Sequence, residues 1–167
     1  MHKTNPFSTK TTIAGVSAAT LVLVLAPMVA FAQNPHFVGR TDCEVDDSGN
    51  LVCSGSIAGL GNVEDVEAFL VADIDAAFVC VNPGGNIAPG QGVEEEDVTG
   101  ETETLPVRNG RANFDLTIEA PEAPSAEEVC PNPNWTVELQ SISYDNVRVT
   151  VDGAVLPIEG GPFEGEV

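Results

Sequence analysis

From Val66 to Cys80 every second residue is apolar, through Ala68, Leu70, Ile74 and Phe78, while Glu67, Asp73 and Asp75 fall between them. A period of two belongs to a strand with one face on a core, and a strand this long needs partners along both edges. A helical stripe can also be drawn through Val63, Val66, Leu70, Ile74 and Phe78, but the alternation fits better because the acids collect on the opposite face. Phe69, Val71, Val79 and Val81 share that outer face, so its ends are expected to be covered as well.

The partners are visible as shorter runs bounded by turn formers. Thr41 to Ile57 reads as a β-hairpin folded about Asp46-Asp47-Ser48-Gly49-Asn50. Folding symmetrically about Ser48 sets Val45 against Leu51 and Cys43 against Cys53, close enough for a bridge when the pair is of the non-hydrogen-bonded kind. Cys43–Cys53 leaves Cys80 with Cys130. Asn82 to about Asp97 reads as a long polar loop without apolar periodicity. A strand is expected over Val98–Val107, a turn at Arg108-Asn109-Gly110-Arg111, and a return strand with Ala112, Phe114, Leu116, Ile118 and Ala120 inward. Asn-Gly is the strongest short hairpin signal, because both residues tolerate positive φ. Pro121 to Asn134 is a second loop, followed by strands over Trp135–Tyr144 and Val147–Val151 and a short segment over Ala154–Ile158. Six to eight strands without a clear helix predict an all-β protein, an immunoglobulin-like antiparallel β-sandwich, with a small barrel as the alternative.

The N-terminus has the build of an export signal. Lys3 and Lys10 lie in a polar stretch without acids, Ile13 to Ala26 is apolar, Pro27 breaks it, and Ala30-Phe31-Ala32 is the small-x-small pattern of a cleavage site. Cleavage after Ala32 predicts a secreted or extracytoplasmic chain, with one domain over residues 33–158 and a flexible acidic tail over 159–167. That chain keeps Arg40, Arg108, Arg111 and Arg148 as its only Lys or Arg residues, and four cations against 26 acids give a net charge of −22. Such a field repels polyanions, so neither nucleic acid nor, once the signal is removed, an anionic membrane surface is expected as a partner. Four cysteines in an exported chain imply two disulfides.

The runs Cys80-Val81-Asn82-Pro83-Gly84-Gly85-Asn86, Asn109-Gly110-Arg111-Ala112-Asn113-Phe114 and Cys130-Pro131-Asn132-Pro133-Asn134-Trp135-Thr136, in that order, resemble a family of small secreted microbial β-sandwich proteins with no assigned activity. The resemblance spans His36 to about Val151. It implies that Cys80 pairs with Cys130 and that Val63 to Val81 is strand, and it brings no catalytic or binding residues. The chain departs from the family pattern in its acidity and in the extra pair Cys43 and Cys53.

Composition excludes several chemistries. A serine or cysteine nucleophile needs a base, and the single histidine after the signal, His36, lies close to the new N-terminus. Blue-copper ligation needs two histidines and a free cysteine. Paired carboxylates for glycoside hydrolysis arise by chance among 26 acids. Calcium is the metal whose hard oxygen ligands this chain could supply, and Glu94, Glu95, Glu96 and Asp97 are the candidate ligands of a weak site. No other cofactor is expected. Asn134-Trp135-Thr136 is a glycosylation sequon, and Trp135 is expected in the core. The expected function is a non-catalytic extracellular binding or structural module for an unidentified ligand or protein, with a small carboxylate hydrolase as the alternative. The expected binding surface is the end where the two loops meet at Cys80 and Cys130, around Asn82, Asn86, Asn132 and Asn134.

Overall fold

The computed structural model describes residues 34–167, so the export signal lies outside the described residues. The strands are β1 (His36–Phe37), β2 (Asp42–Val45), β3 (Leu51–Ala58), β4 (Asp65–Val81), β5 (Ile87–Thr99), β6 (Glu103–Pro106), β7 (Arg111–Ile118), β8 (Thr136–Val151), β9 (Ala154–Pro157) and β10 (Phe163–Glu166), with one helical turn, α1 (Ala126–Val129), before β8. All pairings between these strands are antiparallel. In one sheet β3 is central, with β7 along one edge and β1 and β2 sharing the other. In the second, β4 and β8 are central; β5 and β6 share the outer edge of β4, and β9 and β10 share the outer edge of β8. Among the described residues ten strands therefore fill seven lanes, in the immunoglobulin-like order A-B-E against C′-C-F-G with the D lane vacant.

The long alternation is β4, and its even-numbered residues from Val66 to Cys80 are the buried ones. They face Leu51, Ile57, Phe114, Leu116 and Ile118 of the opposite sheet across a single core. Val71 and Val79, on the outer side of β4, are also nearly covered. Cys43 lies directly opposite Cys53 and the two are bonded, with Cα atoms 4.1 Å apart. Cys80 is bonded to Cys130. Two internal disulfides point to an oxidising, extracytoplasmic environment, and among the described residues no helix is long and apolar enough to cross a membrane.

Five expectations are corrected. Most of the segment read as a loop from Asn82 to Asp97 is strand β5, with only Asn82–Asn86 as turn. Its side chains carry no apolar alternation because it is an edge strand with largely exposed faces, held by backbone bonds to β4. The strand expected over Val98–Val107 is broken at Gly100, whose N–H donates to the Leu70 carbonyl at 3.0 Å. A β-carbon on Gly100 would lie 2.2 Å from the Thr117 carbonyl oxygen, so only glycine lets the chain pass this close to β7. Trp135–Tyr144 and Val147–Val151 are joined in one strand, β8, which continues across a bulge between the pairs Asp73–Asp145 and Val71–Arg148, where Asn146 takes a positive φ of 50°. The acidic tail is ordered in part, since Phe163 to Glu166 pair with Tyr144 to Ser141 and the Val167 N–H reaches the Gln140 carbonyl. Its glutamates point to solvent while Gly165 packs against Val45 and Ile142, a two-sided arrangement that an acid count does not display. Trp135, expected in the core, is half-buried outside the core cluster.

Candidate functional site

The Cys80–Cys130 bridge joins the end of β4 to the segment just after α1, so the Asn82–Asn86 turn and the Pro131–Trp135 turn lie at the same end of the sandwich. The four asparagines expected to bind there are occupied in shaping these turns. The Asn82 side-chain oxygen accepts the N–H groups of Gly84 (2.8 Å) and Asn86 (2.9 Å) and the Asn86 side-chain amide (3.3 Å). The Asn132 oxygen accepts the Asn134 N–H (2.9 Å) and its side-chain amide (3.1 Å). An asparagine that closes its own turn in this way is a backbone device first. The two turns exchange no hydrogen bond among the described residues.

Glu94, Glu95 and Glu96 lie exposed along the edge strand β5, where alternation sends neighbours to opposite faces. Asp97 turns away into a polar knot at the bulge of β4. Its N–H donates to Asp73 at 2.9 Å and its carboxylate pairs with Arg148, while the Asn146 amide donates to the second Asp73 oxygen. The Asp97 N–H, then the Asn146 amide, then the nearby Arg148 charge hold the Asp73 carboxyl below its usual value. The four expected calcium ligands are thus not gathered on one point. Among the described residues no group of three or more His, Cys, Asp or Glu side chains converges as a metal site.

A hollow lies elsewhere, on the outer face of the β4–β8 sheet. Pairing sets Asp75 between Glu94 and Ser143, with Glu164 beyond, and sets Ala77 between Gly92 and Ser141, with Glu166 beyond. Small residues form the floor and carboxylates the rim of an open trough of about 570 Å³. Asp75, Glu164 and Glu166 are all exposed, so the trough offers negative charge in water and no desolvated acid. A sequence pattern hides it, because its residues come from three strands, β4, β8 and β10; the available signal was the small outward residues Ala77, Ser141 and Ser143. His36 is exposed on β1 with its Nδ1 bonded to the Asn34 carbonyl at 3.0 Å, and among the described residues no nucleophile is its hydrogen-bond partner.

No protein-family model, curated protein or solved structure matches this chain.

Proposed function

We propose that the protein is a secreted, strongly acidic, disulfide-braced sandwich that serves as a non-catalytic binding or structural module outside the cell. The observation that carries this reading is the solvation of its chemistry: among the described residues no charged side chain is buried, and Tyr144 is the one buried group with a titratable proton. General acid–base or nucleophilic catalysis relies on groups whose protonation is tuned by burial and fixed partners. A rigid scaffold with solvated polar surfaces suits recognition instead. The lysine-bearing apolar N-terminus with its Ala30-Phe31-Ala32 site supports secretion, in line with the two disulfides. The three Cys, Asn-Gly and Asn-Pro runs support membership of the unassigned family of secreted microbial sandwiches.

A glycan and polysaccharide array, run with and without calcium and followed by an assay for released reducing ends, tests the reading. Retention without hydrolysis is expected. Hydrolysis abolished by substituting Asp75, Glu164 or Glu166 would overturn it in favour of a carboxylate hydrolase.

A further inference from the structure

The two arginines of the β6–β7 hairpin are anomalous in so acidic a chain. Arg40 sits 2.6 Å from Asp42, and Arg148 is paired with Asp97. Arg108 and Arg111 lie within ion-pair distance of no carboxylate among the described residues, although the sequence holds 26 acids. They face each other instead. The Arg108 N–H donates to the Arg111 carbonyl at 2.8 Å and the Arg111 N–H to the Arg108 carbonyl at 3.1 Å. Residues that exchange both backbone bonds are directly opposed, with side chains on one face of the hairpin. Like charges in that position are destabilising, and an anion between them removes the cost.

The surroundings leave room for such a group. Asn109 and Gly110 have positive φ of 54° and 72°, the signature of a tight two-residue turn. The Gly110 carbonyl accepts the Leu60 N–H at 3.1 Å, and Gly110 lies so close to Gly61 that the turn and the β3–β4 connection form one surface. Arg111 stands between two hollows. One, of about 300 Å³, is shared with Arg108 and Asn113; the other, of about 360 Å³, is shared with Asn62 and Asn109. Each suits one ring-sized group, with amides able to pair with hydroxyls.

We infer that this tip recognises a single carboxylate carried on a hydroxylated ring, as on a terminal acidic sugar; the inference rests on the binding-module reading and gives it a ligand class. Two guanidinium forks match the planar carboxylate. The net charge of the chain selects for a monoanion, because each further ligand charge is repelled by the whole molecule, and a second copy of this chain is repelled most of all. The site lies at the opposite end from the Cys80–Cys130 bridge, since β4 begins beside Pro106 and ends beside Ile87.

The test is NMR titration of the isotope-labelled secreted protein in about 0.15 M salt with methyl glucuronoside, its neutral counterpart methyl glucoside, and sulfate. Glucuronoside is expected to shift the amides of Arg108–Arg111 and Gly59–Asn62, and to bind at least about five-fold more tightly than the other two. Arg108→Gln and Arg111→Gln are each expected to weaken it about five-fold while leaving the thermal midpoint unchanged or higher, as relief of like-charge opposition requires. Equal binding of the neutral sugar, tighter binding of sulfate, shifts confined to other surfaces, or undiminished binding by both variants would overturn the inference. Retention of some other glycan in a manner indifferent to both arginines leaves the binding-module reading standing without this site, whereas hydrolysis on the array removes that reading itself.

Discussion

Among the described residues Tyr144 is the largest side chain with no exposed surface, and its hydroxyl donates to the Gly49 carbonyl at 2.8 Å, tying β8 to the β2–β3 turn. Tyr144→Phe leaves that buried carbonyl without its partner and is expected to cost about 1–2 kcal/mol in urea unfolding. Burial pushes the phenol up to about 12, against the Leu51 backbone bond that opposes the shift, with Asp46 adding repulsion. The folded value lies above the unfolded value of 10.0, so the neutral phenol's contribution is complete below pH 10 and is lost as pH rises toward 12. The chain has one tyrosine, so its ultraviolet titration reads this group alone, and Tyr144→Phe is expected to lose this part of the alkaline decline. Asp73 carries the opposite sign: its carboxyl is held low, so its contribution is present above its unfolded value of 3.8 and is lost as pH falls through the folded value. Asp73→Asn is expected to flatten the acid limb of a stability–pH curve. Neither residue announces this in the sequence. Tyr144 stands in ordinary alternation, and Asp73 becomes a hub only because Asp97 and Asn146 reach it from neighbouring strands.

At the level of elements, alternation and turn chemistry were the legible part. The hairpin register that opposes Cys43 to Cys53, the Asn-Gly turn and the inward face of β7 follow from residues a few positions apart. β5 and β10 were illegible because edge strands are held by backbone bonds and carry side chains chosen for water. Gly100 was equally silent, its requirement being set by a carbonyl of β7. Gly100→Ala drives a methyl into the Thr117 carbonyl and is expected to lower stability by about 1–3 kcal/mol in the same urea measurement. Replacing both Cys80 and Cys130 by serine opens a loop spanning 50 residues and is expected to cost about 4 kcal/mol, against about 3 for the Cys43–Cys53 pair with its separation of 10.

Across the whole molecule, charge dominates. With 26 acids and few cations the folded state repels itself, and the thermal midpoint is expected to rise as sodium chloride is raised from about 0.01 to 0.5 M, where the screening length falls from about 30 Å to a few ångströms. A flat midpoint would mean that the carboxylates are too well spread to oppose compaction. The sandwich class could be read from periodicity and the Arg108–Arg111 turn from its Asn-Gly pair, whereas the trough needed the pairing of strands remote in sequence.

That remoteness has a kinetic side. Leu51 pairs with Ile118, and Ala68 with Val151, so both sheets are closed by partners separated by half of the domain or more. Chains that depend on such contacts fold in milliseconds to seconds, because loop closure must precede the reward. The two bridges then belong to different moments of maturation. Cys43–Cys53 closes across a short turn and can be oxidised while the rest is still searching, whereas Cys80–Cys130 requires β4 to meet the β7–β8 connection and so records that the sandwich has formed.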